Sequence, residues 1–534
     1  MSDKEKKQEL TRRGFIKGTA IGIGAAVAAT TVLQTSPAEA VPIPKKWNKE
    51  ADVVIAGYGG AGASVAITAA DAGAKVLIIE KAPQGEEGGN TRVSGNLWFN
   101  PTPADKAITY MKAMAKGMII PEDMLRVWAD EMGKNADWVK SIGGNPVVAQ
   151  PQSAFCSPEF PDFPGADSSK TYFATPGGWG GSRLWKVLQA AVEERKIEII
   201  YSTAAKDLVQ NPKTKDILGL IAEQEGKPIA IKARRAVVMT CGGYENNPQM
   251  LRDYNAVPEV VPFGTPYNTG DGIKMALRVG ADLWHMSAQS GMWASFKIPN
   301  TDFGLITFPN TAKEDKKPVA GYINVDENGN RYMDESAPAH HGYMHLNSVW
   351  RPTPVPVPAY LIMDDKTRTA GSPFNFNRVM GWAGTIKKMQ FSKDLSEEVA
   401  KGWLQKANTI AELAARINIS PENLQKTVDK WNEACAKGVD ADFGRSAEDL
   451  GPIKQGPFYA LRLTLGILNT QGGPRRNVKA QIVDPDGKPI PRLYSAGELG
   501  SMYSFLYNGG GNVGECLAFG RIAGRNAAGE KPWR

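Results

Sequence analysis

The sequence predicts an α/β fold: a parallel-sheet domain interrupted by an inserted α+β segment. Three observations predict it. Asp52-Val-Val-Ile-Ala-Gly57-Tyr-Gly59-Gly-Ala61-Gly62 is followed by Lys75-Val-Leu-Ile-Ile-Glu80, the pattern of strand, glycine turn, helix, second strand and acidic residue. From about Asp282 to Gly456 the βα rhythm gives way to mixed tryptophan, proline and polar residues. After residue 457 the rhythm returns, with a strand ending at Arg492-Leu-Tyr-Ser-Ala-Gly497-Glu498 and a glycine-rich turn, Asn508 to Gly514, opening a last helix. The boundaries read this way are 1–40 for a leader, 41–281 and 457–534 for a Rossmann-like domain, and 282–456 for a cap carrying substrate contacts.

The leader has its own logic. Thr11-Arg12-Arg13-Gly14-Phe15-Ile16-Lys17 precedes an uncharged stretch, Gly18 to Pro37, and then the small-x-small site Ala38-Glu39-Ala40. This resembles a twin-arginine export signal, which carries folded, cofactor-loaded proteins. A mature chain starting near Val41, in the periplasm or on the outer face of the membrane, is expected. After residue 40 no stretch is apolar and long enough to span a bilayer.

In the first unit each residue type has a reason. Gly57 allows the turn, Gly59 lets backbone approach a pyrophosphate, and Gly62 lets helix and strand pack closely. Ala61 lies at the helix start, whose N–H groups favour phosphate, and Glu80 is placed to accept ribose hydroxyls, with Lys81 beside it. Gly88-Gly89-Asn90-Thr91-Arg92-Val93-Ser94-Gly95 continues as a loop of small and hydroxyl residues. These features predict a bound adenine dinucleotide. Helices are expected from Asp105 to Gly143, from Ser182 to Glu194, from Thr269-Gly-Asp271 through Ala281, and near Glu397–Ile417 and Pro421–Ala436. A hairpin is expected between Lys196 and Ala222, turning at Pro212-Lys-Thr-Lys215.

Composition narrows the partners. The net charge is +7, and residues 1–40 hold six basic and four acidic side chains, so the remaining +5 is too mild for nucleic acid over so large a surface. Cys156, Cys241, Cys435 and Cys516 lie at least 81 residues apart, with no C-x-x-C-H and no cluster for iron and sulfur. An organic redox cofactor and no metal are therefore expected; an exported chain could form one disulfide, which sequence cannot pair among these four, and buried free thiols are the favoured state. The sequence leaves the oligomeric state open.

With these pieces placed, the chain resembles the fumarate reductase / 3-ketosteroid dehydrogenase superfamily of FAD flavoproteins over nearly everything after residue 50. The resemblance rests on the glycine fingerprint, Gly88-Gly89-Asn90, Thr240-Cys-Gly242-Gly-Tyr244, Thr269-Gly-Asp271-Gly272, Asn330-Arg-Tyr-Met-Asp-Glu335, Pro457-Phe-Tyr459-Ala460, Thr470-Gln-Gly-Gly473, Ser495-Ala-Gly-Glu498, and Gly510-Gly511-Asn512 with Phe519-Gly-Arg-Ile-Ala-Gly524. It implies non-covalent FAD, with Gly242 in the cofactor site and Glu498 and Asp271 on the ribityl chain. It also implies that Asn512 and Val513, at the start of the last helix, face the flavin pyrimidine edge, where the helix dipole favours the reduced anion.

The substrate positions depart from true fumarate reductases. Where that resemblance places two charged clamps stand Asn469 and Asn508, and a third position falls on Ala339. Asparagine cannot supply the bidentate charge that carboxylates want, so fumarate or succinate is not expected. Tyr507-Asn-Gly-Gly-Gly511 instead resembles the ketosteroid dehydrogenase turn, implying that the Tyr507 hydroxyl and the Gly511 N–H hold a ketone oxygen. His340, His341 and Tyr459 are candidates for moving a proton, with His345 nearby, and Trp284, Trp293 and Tyr503 suit an apolar substrate. Arg331 and Glu335 read as a structural pair.

The expected activity is oxidoreduction of a CH–CH bond beside a carbonyl, with hydride exchanged between flavin N5 and the β-carbon of a small unsaturated or cyclic carbonyl substrate. Enone reduction is favoured over 3-ketosteroid or cyclic ketone dehydrogenation, because exported relatives pair with membrane-linked donors such as cytochromes. A flavin electron-transfer subunit without small-molecule chemistry is the reading from another class.

Overall fold

In the computed structural model, which describes residues 41–149, 158–257, 259–309, 311–337, 340–346, 348–374 and 380–533, the apolar run after Asn48 is the centre of a parallel sheet. β1 (Lys49–Ala56), β2 (Val76–Ile79) and β3 (Glu198–Ile200) run parallel side by side. Val53, Val54 and Ile55 are fully buried, because helices and loops cover both sheet faces, and so the strand reads as continuously apolar. β4 (Thr203–Gln210), β5 (Ile217–Gln224) and β6 (Lys227–Met239) form an antiparallel meander, with the expected turn between β4 and β5. Its last strand returns to lie parallel to β1.

α1 (Gly60–Asp71) follows the glycine turn and α2 (Gly89–Val93) follows the second glycine pair. The residues expected as helix from Asp105 onward form three shorter helices, Ala104–Ala115, Glu122–Met132 and Asn135–Ser141, and Arg183–Glu194 is helical as expected.

A second, seven-stranded sheet holds β7 (Gln289–Lys297), β8 (Tyr322–Asp326) and β9 (Ala359–Asp364). Its centre is β10 (Phe458–Thr470), which pairs with β7, β9, Leu404–Ala407 and Val261–Pro262. The boundary read from texture at 456/457 therefore falls just before the strand that completes this sheet. Buried apolar side chains on the first half of β10, Phe458 to Leu463, pack on the inserted segment, while Leu465 and Ile467 join the core of the nucleotide sheet, and texture alone does not reveal that division.

The expected helix over Glu397–Ile417 is also divided. Gly402 turns the chain at φ +73°, Leu404–Ala407 becomes an edge strand, and helix resumes as α3 (Ile410–Arg416). The Thr409 side chain caps that helix by accepting the Glu412 N–H at 3.1 Å. α4 (Pro421–Lys437) matches its expectation, with Ser420 as the cap.

The chain then closes the first sheet. β11 (Gln481–Val483) pairs antiparallel with β12 (Pro489–Ser495), and β12 lies parallel to β6. α5 (Gly511–Gly529) packs on α1 through small residues; a Cβ at Gly520 would lie 2.5 Å from the Ser64 Cβ. Near the start of α5, the fully buried Glu515 pairs with the fully buried Arg476 and accepts the Ser501 hydroxyl at 2.6 Å and the Met502 N–H at 2.9 Å. That network fixes where the helix begins relative to the loop before it, which carries the candidate site.

Ala40–Arg534 form one compact unit. The export signal expected at 1–40 lies outside the described residues. Among those described, no helix is long and apolar enough to cross a membrane, and Cys241, Cys435 and Cys516 are free thiols. Cys156 lies outside them.

Candidate active site

The turn after β1 builds the first half of the site. Gly57 sits at φ +107°, and a Cβ on Gly62 would lie 2.0 Å from the Gly57 carbonyl oxygen, so strand and helix touch backbone to backbone. Thr240, at the end of β6, donates its hydroxyl to that same carbonyl at 2.8 Å. At Gly59 the situation is reversed: a Cβ there makes only ordinary contact, with the Gly88 oxygen at 3.7 Å, and Gly59 faces the cleft as a cradle. Glu80 ends β2 almost fully buried, each carboxylate oxygen taking one backbone N–H, from Tyr58 at 2.5 Å and Ala82 at 2.6 Å. Burial pushes its pKa up. The cleft these residues line also includes Ala61, Lys81, Gly89, Gly242 and Asp271.

A second cleft opens beyond it. Asn90, Thr91, Glu498 and Cys516 line both, so the two are continuous. At the junction Asn90 donates its amide to Glu245 at 2.8 Å and to Glu498 at 3.1 Å, while its carbonyl accepts the Thr265 N–H at 2.9 Å. Glu245 also accepts from Asn268 at 2.7 Å. Burial drives the Glu498 carboxyl well above its ordinary range. The cradle at Gly59 and the bent, continuous cleft fit a long, jointed dinucleotide cofactor, with phosphates over Gly59 and its far ring toward Val513.

Apolar and aromatic residues form much of the second cleft: Trp179, Phe263, Trp293, Ile306, Met380 and Leu468, with Ser94 and Gly95 on the cofactor side. Its polar groups are concentrated around the start of α5. Tyr507 is 6% exposed, its ring perpendicular to that of His341 with centroids 4.8 Å apart, and His341 also lies against Trp293. The Tyr507 oxygen accepts the Asn512 N–H at 3.0 Å. Burial pushes the phenol pKa far up, so it remains a proton donor. Asn469 donates to Asn512 at 3.2 Å, and Asn512 and Gln471 exchange side-chain amide bonds of 2.6 and 3.0 Å. Among the described residues lining this cleft there is no lysine or arginine.

Several sequence expectations need correction. The Gly511 N–H donates to the Asn508 carbonyl at 2.9 Å, closing the turn, and a Cβ at Gly511 would lie 2.3 Å from the Tyr503 hydroxyl. Gly511 therefore shapes the loop, and the helix end reaches the cleft through Asn512 and Tyr507. Tyr459 lies on β10 with its hydroxyl on Asp365 at 2.7 Å, away from the cleft. His340 stacks on Phe160 at 5.0 Å and meets Trp350 edge-on, and it lines neither cleft. The two adjacent histidines diverge because His341 has a left-handed backbone, φ 45°.

Asp271 pairs with Lys81 at 2.8 Å and lines the first cleft together with Glu498. Trp284 donates to the Gly500 carbonyl and Tyr503 packs beneath Gly511, so of the three aromatic candidates only Trp293 lines the cleft. His345 contacts Trp350 on the outer strand Tyr343–Leu346. Arg331 pairs with Glu335 at 2.8 Å and with Asp440 at 3.0 Å in the cap. Position 339 lies outside the described residues.

Sequence reasoning missed Glu159, Glu245 and Asn268. Glu245 directly follows the Thr240–Tyr244 motif, and that adjacency was the available signal. Glu159 sits in a proline- and phenylalanine-rich loop with no periodicity, and nothing local marks it.

A family profile described as "FAD binding domain" matches residues 52–513. Urocanate reductase of Eggerthella lenta is 28% identical over 508 residues, covering 92% of this chain and 77% of the relative. A 3-oxosteroid 1-dehydrogenase of Mycolicibacterium smegmatis is 28% identical over 585 residues, covering 90% of this chain and 97% of the relative. The solved 3-ketosteroid delta1-dehydrogenase from Sterolibacterium denitrificans, in complex with 1,4-androstadiene-3,17-dione, superposes with a TM-score of 0.72 at 22% identity. The match covers 90% of this chain and 99% of that one, a likeness of fold.

Proposed function

This chain belongs to the FAD binding domain family, and we propose that it reduces neutral C=C bonds conjugated to a carbonyl, outside the cytoplasmic membrane, with electrons from a membrane-linked donor. It is an FAD-dependent oxidoreductase acting on C=C or CH–CH bonds. The turn from Gly57 to Gly62, with Glu80, would hold the adenosine and pyrophosphate, and Asn90, Thr91, Glu498 and Val513 the remainder. Bound FAD supplies two-electron, hydride-level exchange with carbon.

The observation that carries the reading is Tyr507. Its oxygen receives the Asn512 N–H from the start of α5, which polarises the O–H. That O–H is directed to the carbonyl oxygen of the substrate, which gains negative charge as its conjugated C=C bond is reduced. His341, against the Tyr507 ring, gives the α-carbon its proton. Neutral amides at Asn469 and Asn512 support this arrangement, since they offer a carboxylate substrate no counter-charge. Trp293 and the apolar wall exclude water and suit a planar, uncharged body.

The test uses holoenzyme reduced with a viologen dye and a panel of cyclic and linear enones, urocanate and fumarate. Neutral enones are expected to be consumed, giving products two hydrogens heavier, and fumarate to react at least about 10²-fold more slowly. Brisk fumarate reduction, or no reaction with any unsaturated carbonyl, would overturn the proposal.

Export rests on Arg12 and Arg13 before the uncharged stretch. Replacing both by lysine is expected to trap folded, flavin-loaded protein inside the cell while the wild type is recovered from the periplasmic fraction. Equal export of both proteins would show the pair to be incidental.

A further inference from the structure

We propose that Glu159, 182 positions before it in the chain, is the positioning residue for His341. The proposal rests on the reading of His341 as the group that moves the proton. Both Glu159 carboxylate oxygens lie 2.7 Å from His341 Nδ1, and one of them also accepts the Gly509 N–H at 2.8 Å. The Glu159 side chain is 1% exposed. A carboxylate this deeply buried persists only when its oxygens are occupied by donors, and here both donors belong to the site.

The segment carrying Glu159 is itself clamped. Its backbone N–H donates to Asn508 Oδ1 at 3.1 Å, the Tyr110 hydroxyl donates to the same oxygen at 2.9 Å, and the Phe160 N–H donates to that hydroxyl at 3.1 Å. Asn508 thus does not face substrate: it ties the Glu159 segment to the Tyr507 loop. Glu159 links three things at once, the histidine, the Gly509 backbone and, through Asn508, the turn before α5.

The chemical consequence concerns which ring nitrogen carries the proton. A carboxylate at Nδ1 holds that nitrogen protonated and fixes the ring plane, so the proton given to the α-carbon is the Nε2 proton of the doubly protonated ring, and the Nδ1–H tautomer is what remains. Glu159 at Nδ1, with Trp293 and Tyr507 against the ring, selects its orientation. Loss of the carboxylate removes the acceptor at Nδ1 while leaving Tyr507, Trp293 and the flavin cradle in place.

The experiment compares wild type, Glu159→Gln, Glu159→Leu and His341→Asn holoenzymes, with kcat and KM on the best neutral enone. It adds 15N NMR of the imidazoles, practicable in a chain of four histidines. Wild-type His341 is expected to show protonated Nδ1. Glu159→Leu is expected to lose that signature and about 10²-fold in kcat, with KM changed less than about 3-fold. Glu159→Gln, whose amide oxygen still accepts the Nδ1 proton, is expected to recover part of the rate. Should both Glu159 variants fail to fold, the wild-type tautomer decides alone, and protonated Nε2 with bare Nδ1 overturns the inference. An inactive His341→Asn beside a Glu159→Leu of unchanged kcat also overturns it. A fully active His341→Asn overturns the reading of His341 instead.

Discussion

Tyr507→Phe is expected to lose on the order of 10²–10³ in kcat, roughly 3–4 kcal/mol of transition-state stabilisation, while keeping its full complement of FAD. The ring stays where it is, because its packing against His341 and against Tyr503, at 4.9 Å between centroids, does not involve the hydroxyl. What disappears is the donor aimed at the developing negative charge. The Asn512 N–H also loses its acceptor, which costs stability on the order of 1 kcal/mol and lowers the melting temperature slightly. Steady-state kinetics and the ratio of flavin to protein absorbance separate these effects. A mutant of unchanged rate would remove Tyr507 from the chemistry, and a colourless one would show that the hydroxyl serves the cofactor.

Gly59→Val is expected to fold and to be colourless. A Cβ at this position meets no protein atom closer than 3.7 Å, so the polypeptide tolerates it, yet the side chain fills the cradle where a pyrophosphate would approach backbone. Gly62 offers the contrast. A Cβ there would stand 2.0 Å from the Gly57 oxygen, so Gly62→Val is expected to damage the fold itself. Circular dichroism and the flavin spectrum distinguish the two outcomes. A yellow Gly59→Val would mean that the cradle lies elsewhere.

The parts of the site legible in the sequence are those whose chemistry is local. Gly57, Gly59, Gly62 and Glu80 belong to one short βαβ unit, where turn, helix start and strand end lie within 24 residues of each other. Asn90, Glu498 and Val513 were placed through family motifs, and they do line the continuous cleft. Residue type alone could not show where a hydrogen bond goes. Gly511 has the right N–H, but the Asn508 carbonyl takes it. His340 and His341 are indistinguishable as neighbours in sequence, and a single left-handed residue sends one to Phe160 and the other to Tyr507. Glu159 is joined to the site by contacts 182 and 350 residues away along the chain, beyond any local pattern. The helical reading of Glu397–Ile417 holds at Ser396–Ala400 and Ile410–Arg416 and is interrupted for a similar reason: Leu404–Ala407 is extended because β10 offers it an edge to pair with.

The claim that a neutral donor, rather than a charge clamp, selects the substrate is tested most directly by single turnover. Holoenzyme reduced to one equivalent of FADH₂ under anaerobic conditions is mixed rapidly with a saturating neutral enone or with fumarate, and the return of flavin absorbance is followed. Prompt reoxidation by the enone and reoxidation at least about 10²-fold slower by fumarate is the expected result. Equal or faster reoxidation by fumarate would contradict the account and restore a carboxylate substrate to this site.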